Sequence, residues 1–93
     1  MFSWDAEKAI INFKKHGVPF EEAVTVFSDP DGLDWDDIEH SVSEPRNKRL
    51  GRSIVGRILL VVYTVRRKQY AQETIRIISA RQASRKERKA YLR

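Results

Sequence analysis

The chain has 93 residues and a formal net charge of +5, a length that holds one hydrophobic core and excludes a two-domain enzyme. It has no cysteine, which excludes a disulfide framework, a thiolate nucleophile and a zinc ribbon. Apolar residues at 41% can build a core, whereas the longest uninterrupted apolar run, Ile58 to Tyr63, is far below the roughly 20 residues that span a bilayer.

No charged segment leads into an apolar run at the start, so one cytoplasmic domain over residues 1–93 is expected, away from membranes. Asp5 stands as a helix N-cap. Ala6, Ala9, Ile10 and Phe13 follow at the spacing of an amphipathic stripe, and His16-Gly17 ends the helix. Pro19, the acids Glu21 and Glu22, and the stripe Phe20, Ala23, Val24 and Phe27 predict a second, shorter helix ending near Ser28. Asp29-Pro30-Asp31-Gly32 is a turn, and the acidic run from Asp34 to Glu39 is expected to form a loop with at most a short edge strand.

From Arg46 the hydrophobic period changes. Arg49 to Val55, Gly56-Arg57 and Ile58 to Arg66 predict a β-hairpin with a two-residue Gly-X turn. Ile58 to Tyr63 is apolar on both alternations, as in a central strand covered on both faces. Thr74 to Ala80 supplies another strand, and Ser84 with Glu87 makes a capping box for a last helix through Tyr91. The fold class is α+β: two N-terminal helices, an antiparallel sheet of three to four strands and a C-terminal helix.

Charge is unevenly divided along this order. Residues 1–45 carry eleven acids against three lysines, and residues 46–93 carry fifteen Lys/Arg against Glu73 and Glu87 alone. The basic half is suited to a polyanion, because each neutralised phosphate releases counterions. Solvated arginines, or intramolecular pairing of the two halves, would use the same charges without a ligand.

No P-loop, GxGxxG, HExxH or EF-hand pattern is present, and the acids between Asp34 and Glu39 lack calcium-loop spacing, so neither a metal nor a cofactor is expected. His16, before a glycine, reads as a helix cap. His40 opens the run His40-Ser41-Val42-Ser43-Glu44-Pro45-Arg46, which sets an imidazole, a carboxylate and a guanidinium where the acidic segment meets the basic sheet. The other constellation is Thr74 to Arg81. Strict alternation puts Ile75, Ile77 and Ser79 on one face and Arg76, Ile78 and Ala80 on the other, with Arg81 at the strand end. Arg76 either reaches solvent or an acid of the first half, or joins other guanidinium groups in gripping a phosphodiester.

Phe2-x-Trp4-Asp5, Lys8-Ala9, Asn12, Lys15-His16-Gly17-Val18, Phe20-x-Glu22-Ala23, His40-Ser41, Glu44-x-Arg46, Gly56-Arg57, Ile75-Arg76-Ile77-Ile78-Ser79-Ala80-Arg81 and Glu87-Arg88-x-x-Tyr91 together resemble the BrnT toxin family of bacterial type II toxin–antitoxin systems. The resemblance covers nearly the whole chain. Pro45 inside the Glu44-x-Arg46 stretch and a long connection from Arg66 to Glu73 depart from it. It implies a RelE-like fold and a ribonuclease that arrests translation. It also implies neutralisation by a BrnA-like ribbon-helix-helix antitoxin, in a 2:2 heterotetramer that binds operator DNA through the antitoxin and represses its own operon.

On this resemblance and the residues together, RNA is the expected substrate, free or ribosome-associated, cut without a metal when its own 2′-hydroxyl attacks the neighbouring phosphorus. The expected catalytic residues are Arg76, Arg81, Arg46, His40 and Glu44: arginines on the phosphate, and His40 with Glu44 on the proton, since imidazoles exchange protons near neutrality. Lys48, Arg57, Arg66, Arg85 and Tyr91 are expected to bind RNA, the tyrosine by stacking or by donating a proton. Trp35, Tyr70 and Leu92 are candidates for antitoxin contact, and Trp4 for the core. The competing functions are a basic nucleic-acid-binding or co-repressor module that cuts nothing, and a protein-interaction domain.

Overall fold

The computed structural model describes residues 1–40, 44–67 and 72–93. Its elements are β1 (Phe2–Trp4), α1 (Ala6–His16), α2 (Phe20–Ala23) running into a 3-10 turn (Val24–Ser28), and β2 (Leu33–Asp36). A second 3-10 turn (Ile38–His40), β3 (Asn47–Arg52), β4 (Ile58–Arg67), β5 (Glu73–Gln82) and α3 (Arg85–Tyr91) follow. The strands form one mixed sheet in the order β1-β5-β4-β3-β2, with β1 parallel to β5 and the other neighbours antiparallel. The fold is therefore α+β as expected, but the sheet has five strands and one parallel pair instead of three to four antiparallel ones. The short edge strand allowed in the acidic run is β2, and the strand not foreseen is β1, whose three residues are too brief to show a period.

The sheet has two differently covered faces. Against one, α1, α2 and the first 3-10 turn bury Val18, Phe20, Ala23 and Val26 on Leu59, Val61, Tyr63, Ile77 and Ala80. Trp4 packs edge-on against Phe20, with ring centroids 6.0 Å apart. On the other, α3 covers only one end, where Tyr91 and Ala83 meet Leu50, Ile58 and Leu60. As the central apolar run requires, β4 is buried on both faces.

The α1 caps match the sequence. Asp5 Oδ1 accepts from the Glu7 and Lys8 amides at 2.9 and 3.1 Å, and Gly17 at φ 70° closes the helix on the Phe13 carbonyl. Its buried face does not match: Ile10, Ile11 and Phe13 are exposed, and Asn12 is buried. Beyond Ile77, β5 has no strand on its outer side among the described residues, because β1 pairs only with Ile75 to Ile77. The Asn12 amide takes the missing strand's place, donating to Ala80 O at 2.8 Å and accepting from Ala80 N at 3.1 Å. That buried backbone requirement sets the helix rotation against its apolar stripe.

Two further corrections concern the hairpin and β5. Ser53 N–H donates to Arg57 O at 2.8 Å and Gly56 N–H to Ser53 O at 2.9 Å, so the loop is Ile54-Val55-Gly56, with Gly56 at φ 90°. The strand ends at Arg52; the apolar but exposed Ile54 and Val55 only imitate its continuation. In β5, Tyr63 faces Ile77 and Val62 faces Ser79, which leaves Ile78 as the extra residue of a β-bulge. The bulge shifts the alternation by one. Ile77 and Ala80 both join the helix-side core, while Arg76, Ser79 and Arg81 lie opposite Thr64, Val62 and Leu60 on the other face.

Candidate functional site: a basic cleft on the open sheet face

The sheet face left open between α3 and the second 3-10 turn forms a cleft of about 220 Å³. Its floor is Leu60, Val62, Ile78 and Ser79, and its walls are Asp37, His40, Arg46, Lys48 and Arg81. Three cations against one carboxylate make it a place for an anion.

One wall grows out of the β2–β3 pairing. After Asp36 pairs with Asn47, the Asp37 N–H donates to Arg46 O at 2.8 Å, and the chain then turns through Ile38–His40. The three-residue step returns His40 over Asp37, with Nδ1 3.0 and 3.1 Å from the two carboxylate oxygens. Burial opposes the Asp37 charge, but the His40 hydrogen bond and the nearby Lys48 and His40 charges hold its pKa below the usual carboxylate range. An ionised carboxylate only accepts, so His40 donates through Nδ1, and in the neutral ring Nε2 carries the free lone pair. Behind this wall Thr64 Oγ1 donates to Pro45 O at 2.7 Å, fixing the approach to Arg46.

The opposite wall is Arg81. Glu87 takes it end-on, Nη1 to Oε1 at 2.8 Å and Nη2 to Oε2 at 3.0 Å, and Nη1 also donates to Gln82 O at 3.2 Å. Of the five guanidinium donors, the Nε hydrogen and the second Nη2 hydrogen remain, side by side on the other edge of the fork. Glu87 is also the N3 residue of the α3 capping box, accepting from Ser84 N at 2.8 Å. The Arg81 hydrogen bonds first, with burial opposing, pull the Glu87 pKa down to about 2, and the same pair raises that of Arg81.

The expected site residues divide accordingly. His40, Arg46, Lys48 and Arg81 share the cleft. Arg76 lies on the same sheet face opposite Thr64, and its charge is felt at Glu44. Glu44 accepts from Arg66 at 3.1 Å; that bond, against burial, and the charges of Arg66, Arg46 and Arg76 lower its pKa, which makes it a counter-ion and a weak base. Arg57 is not brought to the cleft. Its Nε donates to Glu22 at 3.0 Å and its Nη2 to Glu22 and to Gly17 O, tying the hairpin to the helices. Arg85 is exposed at the start of α3, and Tyr91 packs under that helix, donating to Asp29 with the Arg52 guanidinium 5.7 Å above its ring. Residues 41–43 and 68–71, with Ser41, Tyr70 and most of the long connection after Arg66, fall outside the described residues.

Asp37 and Ser79 line the cleft although neither stood out as a site residue in the sequence. Asp37 is three residues before His40, a helical step hidden in an acidic run, and Ser79 faces the cleft only because of the bulge. Among the described residues no three His, Asp or Glu side chains gather as a metal site, and no helix is long and apolar enough to cross a membrane.

This small α+β domain concentrates cations and a carboxylate-oriented imidazole in one cleft, an arrangement suited to an anionic ligand. The family model described as "Ribonuclease toxin, BrnT, of type II toxin-antitoxin system" matches residues 4–87. The chain belongs to this BrnT family of type II toxins. Its fold is similar to the crystal structure of the Brucella abortus ribonuclease toxin BrnT, with a TM-score of 0.63 and 22% identity over 91% of this chain and 99% of that one. A comparison with curated proteins finds no match.

Proposed function

We propose that this toxin cuts RNA in the basic cleft by a RelE-like, metal-independent route. The carrying observation is the His40 ring, oriented by buried Asp37 at the wall of a pocket whose other walls hold Arg46, Lys48 and Arg81. His40 Nε2 takes the proton of the substrate 2′-hydroxyl, and the 2′-oxygen bonds to the adjacent phosphorus. The phosphorus–5′-oxygen bond breaks, leaving a 2′,3′-cyclic phosphate, and the departing 5′-oxygen takes a proton from solvent. Arg46, Lys48 and the free edge of Arg81 lie against the non-bridging oxygens and stabilise the charge that grows there. Ser79 offers a further hydroxyl from the floor. Arg76, Arg66 and Glu44 form the charged continuation of the same face.

The family implies an antitoxin partner. We assign it the BrnA-like ribbon-helix-helix type, in a 2:2 complex that represses its own operon, in the cytoplasm. An acidic segment across the cleft would silence the toxin by charge complementarity. The test is induction in growing cells: the parent chain arrests growth and degrades RNA, and co-expression of the neighbouring antitoxin gene relieves both. Folded Arg46→Ala, Lys48→Ala and Arg81→Ala proteins are expected to be tolerated. Full toxicity in all three would overturn the assignment of the cleft.

A further inference from the structure

We propose that the RNA strand leaves the cleft across the outer edge of β5 and is held beyond it by Lys8 and Lys15 of α1, forming a subsite for nucleotides flanking the cut. This rests on the ribonuclease reading and extends the same site.

A second hollow, of about 200 Å³, lies between α1 and β5 and is lined by Lys8, Ile11, Lys15 and His16, with Asn12 at its base. It shares Ile78 and Ser79 with the cleft, so one two-residue ridge separates them. The ridge is accessible for a topological reason. Because β1 stops at the partner of Ile77, no strand among the described residues walls off the bulged segment, and the Asn12 amide bonds the backbone of Ala80 while Ile78 and Ser79 stay partly exposed.

The chemistry of the second hollow fits a nucleic-acid strand. Lys8, Ile11 and Lys15, at i, i+3 and i+7, form one helix stripe. No carboxylate lines this hollow, and neither lysine side chain makes an ion pair or hydrogen bond among the described residues. Ile11 is 63% exposed between the two cations, an apolar surface for a base where the ammonium groups meet phosphates. Continuity with the cations of the cleft favours RNA over an acidic protein segment as the occupant.

The test compares the parent with a Lys8→Gln, Lys15→Gln protein. Binding of 2′-O-methyl oligonucleotides of three and ten nucleotides, which present no 2′-hydroxyl to attack, is measured from 50 to 200 mM salt. Two lost phosphate contacts lower the salt slope by about 1.4, so the affinity deficit for the ten-mer is about sevenfold larger at 50 mM than at 200 mM. The trimer, too short to occupy both hollows, is expected to bind as it does to the parent. Unchanged ten-mer binding and slope, while Arg81→Ala weakens both lengths, would overturn the subsite and leave the cleft standing. If Arg81→Ala also binds both lengths like the parent, the cleft reading itself fails. Normal ten-mer binding with impaired neutralisation by the antitoxin would make the stripe a protein-docking surface and overturn the proposal too.

Discussion

Replacing Asn12 with alanine should destabilise the protein more than any other change of an α1 side chain. The amide donates to Ala80 O at 2.8 Å and to Val18 O at 3.2 Å, and accepts from Ala80 N at 3.1 Å. Truncation strands three backbone groups, each costing ~1–3 kcal/mol if nothing replaces the bond. The hollow beside Asn12 lets water approach, so the lower end applies and the total is about 3 kcal/mol. For a domain of this size that lowers the midpoint of thermal unfolding by roughly 12–24 °C. Urea denaturation measures the free energy, and hydrogen exchange at the Ala80 amide localises it. Asn12→Asp sharpens the test, since aspartate keeps the acceptor for Ala80 N but sets a charged oxygen against two carbonyls. Its folded-state pKa is raised, so its stability should improve relative to Asn12→Ala as pH falls and the carboxyl protonates into a donor. An alanine variant within about 0.5 kcal/mol of the parent, with Ala80 still protected, would refute the idea that this side chain completes the sheet edge.

Three further outcomes follow from the site and its supports. His40→Ala should lower RNA cleavage by ~10²–10⁴-fold, the usual worth of a general base, and Asp37→Asn by a smaller factor because the ring loses its fixed tautomer; single-turnover rates on one oligoribonucleotide compare the two. Glu87, depressed to about 2 in the folded protein, stabilises it fully above the ordinary glutamate range and loses that contribution as pH falls towards 2. Glu87→Gln should therefore cost about 1–2 kcal/mol at pH 7, after screening of a partly exposed pair, and little at pH 2.5, as read by denaturation at the two values. Arg57→Ala removes the counter-ion of the buried Glu22 carboxylate, leaving it the Ser53 hydroxyl, and should cost about 2–3 kcal/mol, while cleavage per folded molecule stays near the parent rate.

The parts of the fold that sequence made legible are those set by local chemistry. Asp5 and Gly17 bound α1, Ser84 and Glu87 open α3, and the run from Ile58 marks a strand buried on both sides. The parts that escaped it depend on partners distant in the chain. The rotation of α1 is set by Ala80, 68 residues from Asn12, and the shared facing of Arg76 and Arg81 is set by a bulge that alternation cannot foresee. For the site, His40, Arg46, Lys48 and Arg81 were visible as charge types and arrive in one cleft. The Asp37 contact to His40 and the Glu87 clamp on Arg81 were not visible, because a carboxylate in an acidic run and one in a capping box both have adequate local explanations.

The central claim is that the substrate's own hydroxyl attacks with His40 as base, and the chemistry of the cut ends tests it most directly. A purified sample incubated with an oligoribonucleotide in excess EDTA, and analysed by mass spectrometry, should yield fragments ending in 2′,3′-cyclic phosphate, with the yield collapsing in the His40→Ala protein. Fragments ending in 3′-hydroxyl groups, or an undiminished yield without the imidazole, would contradict it.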